Sequence, residues 1–213
     1  MEISWLGHAC FRVRGREATI LIDPYGREYG NLGTPSADIV LVSHEHDGHS
    51  YVDGVVGARR TLSAPGEYEI KSVPIVGVQT AHDGEGGRRR GRNIAWAFHL
   101  EEISVCHLGD IGAPLTSGQA EELGSVDVLL VPVGGHNTVN AAQAAEIVTQ
   151  LEPKIVIPMH YATPGRSETP LEPVDAFLRQ QGAAAVAAQP RLTITRPGLP
   201  DETQVVLLEE RRG

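Results

Sequence analysis

Short apolar runs, separated by turns rich in glycine and proline, recur along most of the chain. Most are too short and too continuous for amphipathic helices, so they predict β-strands. The predicted strands cover residues 2–6, 10–14, 18–23, 39–42, 60–63, 67–71, 73–80, 93–100, 103–108, 127–133, 154–159, 192–195 and 204–208. Helices are predicted only at 119–124, 139–151 and 171–181. This pattern indicates an α/β (α+β) fold in which two mixed sheets are flanked by a few helices.

Three histidines cluster where the buried strand 39–42 ends. His44 and His46 point to the same side while the backbone is extended. If the chain then turns into a helix, His46 and His49 share one face. Three imidazoles aimed at one point favour a metal site, because imidazole suits zinc, iron, copper and nickel. A single histidine would instead favour a polar surface loop.

Other polar side chains follow the ends of further apolar strands. His82 follows 73–80, and His160 follows 154–159. Asp110 follows Gly109 after 103–108, where a carboxylate can reach a metal. Asp23 ends the strand 18–23, and there are two interpretations of it. It either orients a metal-binding imidazole by a hydrogen bond from outside the metal's own ligands, or it forms an Asx turn before a proline.

Composition narrows the class of protein and of partner. The 213 residues are 41% hydrophobic, which suits a single domain over 1–213. A net charge of -9 argues against nucleic-acid binding. No apolar run approaches the roughly 20 residues that span a bilayer, and the first residues lack signal-peptide features. We therefore expect a cytoplasmic protein with no membrane partner.

A local positive cluster stands out in this acidic chain. The loop 84–92 contains Arg88, Arg89, Arg90 and Arg92. Arginine pairs well with phosphate and carboxylate groups, so Arg90 and Arg92 are candidates for binding an anionic substrate. The alternative is a solvated hairpin loop.

Three stretches of sequence resemble the metallo-β-lactamase superfamily. The segment 43–49 is similar to its His-x-His-x-Asp-His loop, except that Gly48 stands at the aspartate position and Asp47 comes one residue early. The strings Trp-Leu-Gly-His-Ala-Cys-Phe at 5–11 and Ile-Leu-Ile-Asp-Pro at 20–24 resemble the small branch that includes L-ascorbate-6-phosphate lactonase and related metal-dependent hydrolases. The resemblance extends in order from Trp5 to His160.

This resemblance implies a four-layer αββα sandwich with a metal site at one edge of the sheets. It assigns the first metal position to His44, His46, His82 and Asp110, and the second to His49, His160 and a shared Asp110. Asp110 and His160 are the implied catalytic residues. Residues expected behind these ligands or near the substrate are Asp23, Asp47, His8, Arg90, Arg92 and Tyr161. For His8, a surface turn is the simpler expectation.

Gly48 removes one carboxylate from the second position. Because Asp47 points in a different direction, we expect water to fill the missing place. One zinc ion would then bind tightly, and a second would bind weakly or not at all. Manganese or iron are alternative metals, since histidine and carboxylate ligands accept several ions.

The implied activity is hydrolysis by zinc-generated hydroxide of an ester, lactone, amide or phosphodiester bond. The expected partner is a small, anionic substrate molecule, and the oligomeric state, a homo-oligomer included, is open. One alternative is a metal-binding or ligand-sensing protein with a degraded second site. A di-iron redox protein is the other, but such relatives usually carry Glu where this chain has His46.

Overall fold

The computed structural model describes residues 1–163 and 170–211. Strands are β1 (Glu2–Gly7), β2 (Cys10–Arg14), β3 (Thr19–Ile22), β4 (Ile39–Leu41), β5 (Arg60–Leu62), β6 (Gly66–Ile70), β7 (Val73–Ala81), β8 (Arg92–Leu100), β9 (Ile103–His107), β10 (Val128–Pro132), β11 (Ile155–Met159), β12 (Leu192–Thr193) and β13 (Gln204–Val205). Helices are α1 (Ser117–Leu123), α2 (Ala141–Leu151) and α3 (Asp175–Gln180). The predicted strands and helices match these elements closely.

The strands form two mixed sheets, as the hydrophobic pattern predicts. The first sheet has the order β12-β1-β2-β3-β4-β5, and it changes from antiparallel to parallel pairing at β3. The second has the order β13-β11-β10-β9-β8-β7-β6, and its pairing changes at β9. In the parallel parts, β4, β10 and β11 are buried, continuous apolar strands, because both of their faces are covered.

The main hydrophobic core draws on both sheets. Trp5, Phe11 and Ile20 belong to the first sheet, and Trp96 and Val105 to the second, all with at most 2% of their surface exposed. At roughly 25 cal/mol per Å² of buried apolar surface, such side chains dominate the stabilisation of the fold. A rigid framework of this kind can hold loops at strand ends in fixed positions.

The helices pack on the second sheet. Helix α1 contacts β7 and β8, α2 contacts β10, and α3 contacts α2. Helix α2 begins two residues later than the predicted 139–151. Asn140 is its N-cap, in a capping box with Gln143, and the Thr138 hydroxyl donates to the Gly135 carbonyl before the helix begins.

A loop covers the outer face of the first sheet. Tyr25, Tyr29 and Leu32 from this loop pack against Leu21 and Cys10 in a second apolar cluster. Two 3-10 turns, Arg27–Tyr29 and Val52–Gly54, lie in the segments around β4. The two mixed sheets with few helices are confirmed, and at this face the covering layer is loop rather than α-helix.

No α-helix follows the histidine loop, contrary to one expectation. After β4 the chain makes a turn in which the backbone N–H groups of His49 and Ser50 both donate to the His46 carbonyl. The three histidines are therefore brought together by a turn and not by a helix face.

None of the helices in the described part of the chain has the length and apolar character needed to cross a membrane. The predicted single domain over 1–213 includes residues 164–169 and 212–213, which lie outside the described residues.

Candidate metal centre

The predicted ligands lie at one edge of the two sheets. His44 follows β4, His82 follows β7, Asp110 follows β9 and His160 follows β11. Strands β7, β9 and β11 run in the same direction, so their carboxyl ends meet. This topology brings together residues that are more than 100 positions apart in the sequence.

The histidine side chains form two groups, each with its potential ligand atoms within 4.8 Å of one another. The first group is His44, His46 and His82, which matches the first position assigned by resemblance. The second group contains His49 and His160, as assigned, and also His8. His8 is half-buried and its ring contacts both of these histidines, so the surface-turn expectation does not describe its position.

Asp110 lies between the two groups. Its Oδ2 is 3.3 Å from Nε2 of both His49 and His160, and 3.7 Å from Nε2 of His82. Burial alone would raise the pKa of Asp110, but the surrounding imidazoles hold it well below its usual value. Asp110 is therefore an ionised carboxylate placed to serve both groups.

The donor set fits a metal ion. Four buried atoms of the cluster have no hydrogen-bond partner among the described residues: His44 Nε2, His82 Nδ1, His160 Nδ1 and Asp110 Oδ1. Leaving several buried polar atoms unsatisfied costs free energy, unless a cation or other group satisfies them. Nitrogen and carboxylate donors of this kind suit zinc and neighbouring transition metals.

Asp23 bonds directly to one candidate ligand, His49, and through Ser43 to a second, His44. Its buried carboxylate accepts hydrogen bonds from His49 Nδ1 at 2.9 Å, from the Ser43 amide at 2.7 Å and from Ser43 Oγ at 2.6 Å. Ser43 Oγ also lies 2.8 Å from His44 Nδ1. Of the two interpretations of Asp23, the structure shows the one in which it orients an imidazole.

Asn93 and His107 hold the loop that carries Asp110, and the sequence pattern singled out neither for this role. Asn93 Oδ1 accepts from the Asp110 amide at 2.9 Å, and its Nδ2 donates to the Leu108 carbonyl at 2.8 Å. His107 Nδ1 accepts from the Gly109 amide at 3.0 Å, while its Nε2 donates to a carbonyl of the first sheet. A buried polar residue at a strand end does not follow the alternation of apolar and polar residues in the strand, so this alternation does not identify it.

The imidazoles differ in their protonation. Burial lowers the pKa of His44 to about 3, so this ring is neutral and ready to bind a metal. Burial likewise lowers the pKa of His46 and His82, and the nearby Arg90 guanidinium adds to this effect. For His49, burial is outweighed by the carboxylates of Asp110 and Asp23, which raise its pKa to about 10.

An open cleft of about 740 Å³ adjoins the first histidine group. Its lining includes His46, Arg89 and Arg90, together with His136, Asn137 and Thr138. Its volume is within the range of small-molecule sites. The last three residues were not predicted as functional, although they follow the Gly134-Gly135 turn at the end of β10, where loops commonly carry function.

The arginine loop is organised around Asp83. The carboxylate of Asp83 accepts backbone N–H bonds from four residues of the loop, at 2.8–2.9 Å. Arg89 pairs with Glu85 at 2.8 Å, whereas Arg90 has no carboxylate partner within ion-pair distance among the described residues. Arg92 begins β8 and is not part of the cleft lining, so the structure separates two arginines that the sequence treated alike.

Two other expected residues lie outside both groups. Asp47 is exposed and belongs to no potential ligand group in the described parts of the chain. Tyr161 packs in the core against the Trp5 ring at 5.2 Å, and burial raises its pKa. Its expected role in lining the pocket is not supported.

Comparison with known proteins agrees with this geometry. A model of the β-lactamase superfamily domain matches residues 2–160. A UPF0173 protein of Pyrococcus furiosus is 34% identical over 76% of this chain and 84% of its own length. A UPF0173 metal-dependent hydrolase of Methanopyrus kandleri is 30% identical over 76% of this chain and 85% of its own.

Among solved structures, a Thermotoga maritima protein described as a zinc-dependent hydrolase of the metallo-β-lactamase superfamily is 39% identical, with a TM-score of 0.81 over 97% of each chain. The resemblance and the enzyme class predicted from the sequence are thereby confirmed, in preference to a non-catalytic sensor. The chain belongs to the metallo-β-lactamase superfamily, as a metal-dependent hydrolase.

Proposed function

We propose that this enzyme is a zinc-dependent hydrolase of a small anionic substrate with an ester, lactone or phosphodiester bond. The observation that carries the proposal is the position of His46, which belongs both to the first histidine group and to the lining of the cleft. A substrate held in the cleft therefore lies directly beside the metal-binding side chains.

Different residues of the site have different roles in this proposal. His44, His46 and His82 would hold the first ion, and Asp110 places a negative charge between the two positions. Zinc held there polarises a substrate oxygen and lowers the pKa of bound water to about 7. Because His44 is neutral across the physiological range, no proton has to leave it before a metal binds.

Arg90 supports an anionic substrate. Its guanidinium lines the cleft near His46, and no carboxylate among the described residues neutralises it. Asp83 and Glu85 also line the cleft, but backbone amides surround the first and Arg89 pairs with the second. Among the described residues Arg90 is therefore the arginine of the cleft lining that has no ion-pair partner, and arginine binds phosphate and carboxylate oxygens well.

The test is a comparison of matched substrates on zinc-loaded protein. Esters, lactones and phosphodiesters would each be assayed with an anionic group and with a neutral replacement. We expect Arg90→Gln to raise KM for the anionic member about tenfold, equivalent to about 1.4 kcal/mol, and to leave the neutral member unchanged. Arg92→Gln is the matched control and changes neither. An equal rise for both members would contradict the anionic substrate.

A further inference from the structure

We propose that His8 is a ligand of the second metal position, where it takes the place of the aspartate that Gly48 replaces. This rests on the metal centre in the proposed function, and it goes further by completing that centre with a residue from the first sheet's opening turn. The second position then consists of His8, His49 and His160, together with the shared Asp110.

The first argument is the space around Gly48. A Cβ atom built at this residue would lie 3.1 Å from the Tyr29 ring and 3.5 Å from Cε1 of His8. A side chain at position 48 would therefore meet both the Tyr29 ring and the His8 ring. His8 thus lies beside the place where an aspartate would extend, and under this proposal it is His8 that fills the place where water was expected.

Distances give the second argument. The His8 ring centroid is 4.8 Å from that of His49 and 4.5 Å from that of His160, with the rings nearly perpendicular. One nitrogen from each ring lies within 4.8 Å of the others. A zinc–nitrogen bond is about 2.1 Å, so two nitrogens on one ion lie at most about 4.2 Å apart. The 4.8 Å bound exceeds that limit by about 0.6 Å, so the three rings would have to close on a bound ion by side-chain rotation.

The backbone provides the third argument, because His8 is held in a strained conformation at this position. Its φ is 55°, and His160 and Asp23 also have positive φ, at 51° and 48°. The His8 carbonyl accepts from the His160 amide at 3.2 Å and from the Trp5 indole at 2.9 Å. Non-glycine residues in the left-handed region cluster at functional sites. Here the strained turn and the predicted ligand His160 are directly bonded to each other.

This ligand set predicts which metals bind. Replacing a carboxylate with an imidazole leaves Asp110 as the one negative ligand of the second position. Imidazole-rich sites favour zinc, copper, nickel and iron, whereas carboxylate-rich sites favour manganese and magnesium. We therefore expect the second position to take zinc in preference to manganese.

The experiment measures metal stoichiometry and affinity, independently of activity. Zinc is titrated into the metal-free full-length protein against a chromophoric chelator, and bound zinc is counted by elemental analysis. The native protein should bind two ions. His8→Asn suits the test because asparagine also tolerates the left-handed backbone, and it should bind one ion. Its second ion should be weakened at least about 100-fold, beyond the usual effect of losing an outer-shell partner.

Controls separate the possible failures. His8→Gln should behave like His8→Asn, and retention of the first ion in both shows that the fold is intact. Asp47→Asn should keep both ions, whereas loss of one would show that Asp47 coordinates and would overturn the assignment. Two ions bound with native affinity in both His8 variants, or a single ion in the native protein under excess zinc, would also overturn it. Two ions without turnover of any substrate would leave His8 as a ligand and refute the proposed function instead.

Discussion

Replacing Asp23 with asparagine should disable two metal ligands at once, although Asp23 need not touch a metal. The Asp23 carboxylate is buried, and the hydrogen bond from His49 and the neighbouring imidazoles lower its pKa despite the opposing effect of burial. It is therefore ionised and can only accept hydrogen bonds. Ser43 Oγ must donate to it at 2.6 Å, and so must His49 Nδ1 at 2.9 Å.

These donations determine which ring nitrogens are free to bind metal. Since the Ser43 hydrogen is used on Asp23, Ser43 Oγ accepts from His44 Nδ1, which leaves a lone pair on His44 Nε2. That atom is the buried nitrogen with no hydrogen-bond partner among the described residues. His49 Nδ1 donates to Asp23 and its Nε2 faces Asp110 at 3.3 Å; because the pKa of His49 is raised to about 10, metal binding at Nε2 must also release a proton.

An asparagine amide at position 23 would reverse this pattern. Its NH2 group donates, so it would favour the opposite tautomer of His49, or would turn Ser43 to donate to His44. Losing an outer-shell partner typically weakens metal binding about 10–100-fold per ligand. With two ligands affected, the metal affinity should fall about 10²–10⁴-fold, which corresponds to about 2.7–5.5 kcal/mol of binding free energy. The mismatched buried groups should also lower the free energy of unfolding by about 1–3 kcal/mol.

The assay is competitive zinc titration of native protein, Asp23→Asn and Ser43→Ala, with urea unfolding of the metal-free forms. Ser43→Ala removes the link to His44 and one hydrogen bond to Asp23 but keeps the His49–Asp23 bond, and it should give an intermediate loss of affinity. The reasoning would be refuted if Asp23→Asn bound zinc within about threefold of native. An equal loss in Asp23→Asn and Ser43→Ala would show that His49 does not depend on Asp23.

Three further perturbations test the framework around the site. Asn93→Ala removes three buried hydrogen bonds, one of them from the Asp110 amide. It should lower the free energy of unfolding, measured with urea, by about 3 kcal/mol. Gly109→Ala should destabilise by at least about 2 kcal/mol in the same measurement, because Gly109 has φ +58° and a Cβ there would collide with Asn93. The hydrogen bond from Lys71 lowers the pKa of Asp38 in the folded protein. The pair therefore stabilises the fold above the unfolded-state pKa of about 3.8. This stabilisation is lost as the pH falls through the lower folded-state pKa. Asp38→Asn should therefore reduce stability at neutral pH and make acid unfolding less steep, whereas an unchanged acid profile would contradict this.

The order of the elements could be predicted from the sequence because each apolar run is a local signal. A buried strand such as β10 is continuous in hydrophobicity, and a strand half exposed alternates, so both can be recognised without knowledge of neighbours. The candidate metal ligands were also visible locally, because three histidines follow one strand and single polar residues follow three others. Resemblance to a family then assigned those residues to two positions.

Tertiary structure decided which candidate ligands His8 contacts. His8 is about 40 residues from His49 and about 150 from His160, and no hydrophobic period relates them, although the family resemblance placed His8 near the site. Their proximity follows from the packing of the opening turn of the first sheet against the end of β11 in the second, where the His160 amide bonds to the His8 carbonyl.

Tertiary structure also determines the different positions of Arg90 and Arg92. Composition treats the two as one positive cluster, whereas backbone N–H groups that donate to the Asp83 carboxylate fold the loop, and of the two only Arg90 lines the described cleft. Chemistry local to a strand or turn can be predicted from the sequence, because hydrophobic period and residue type are local properties. Which distant side chains share one ion or one substrate depends on sheet order and loop packing, and those arise only when the two sheets close on each other.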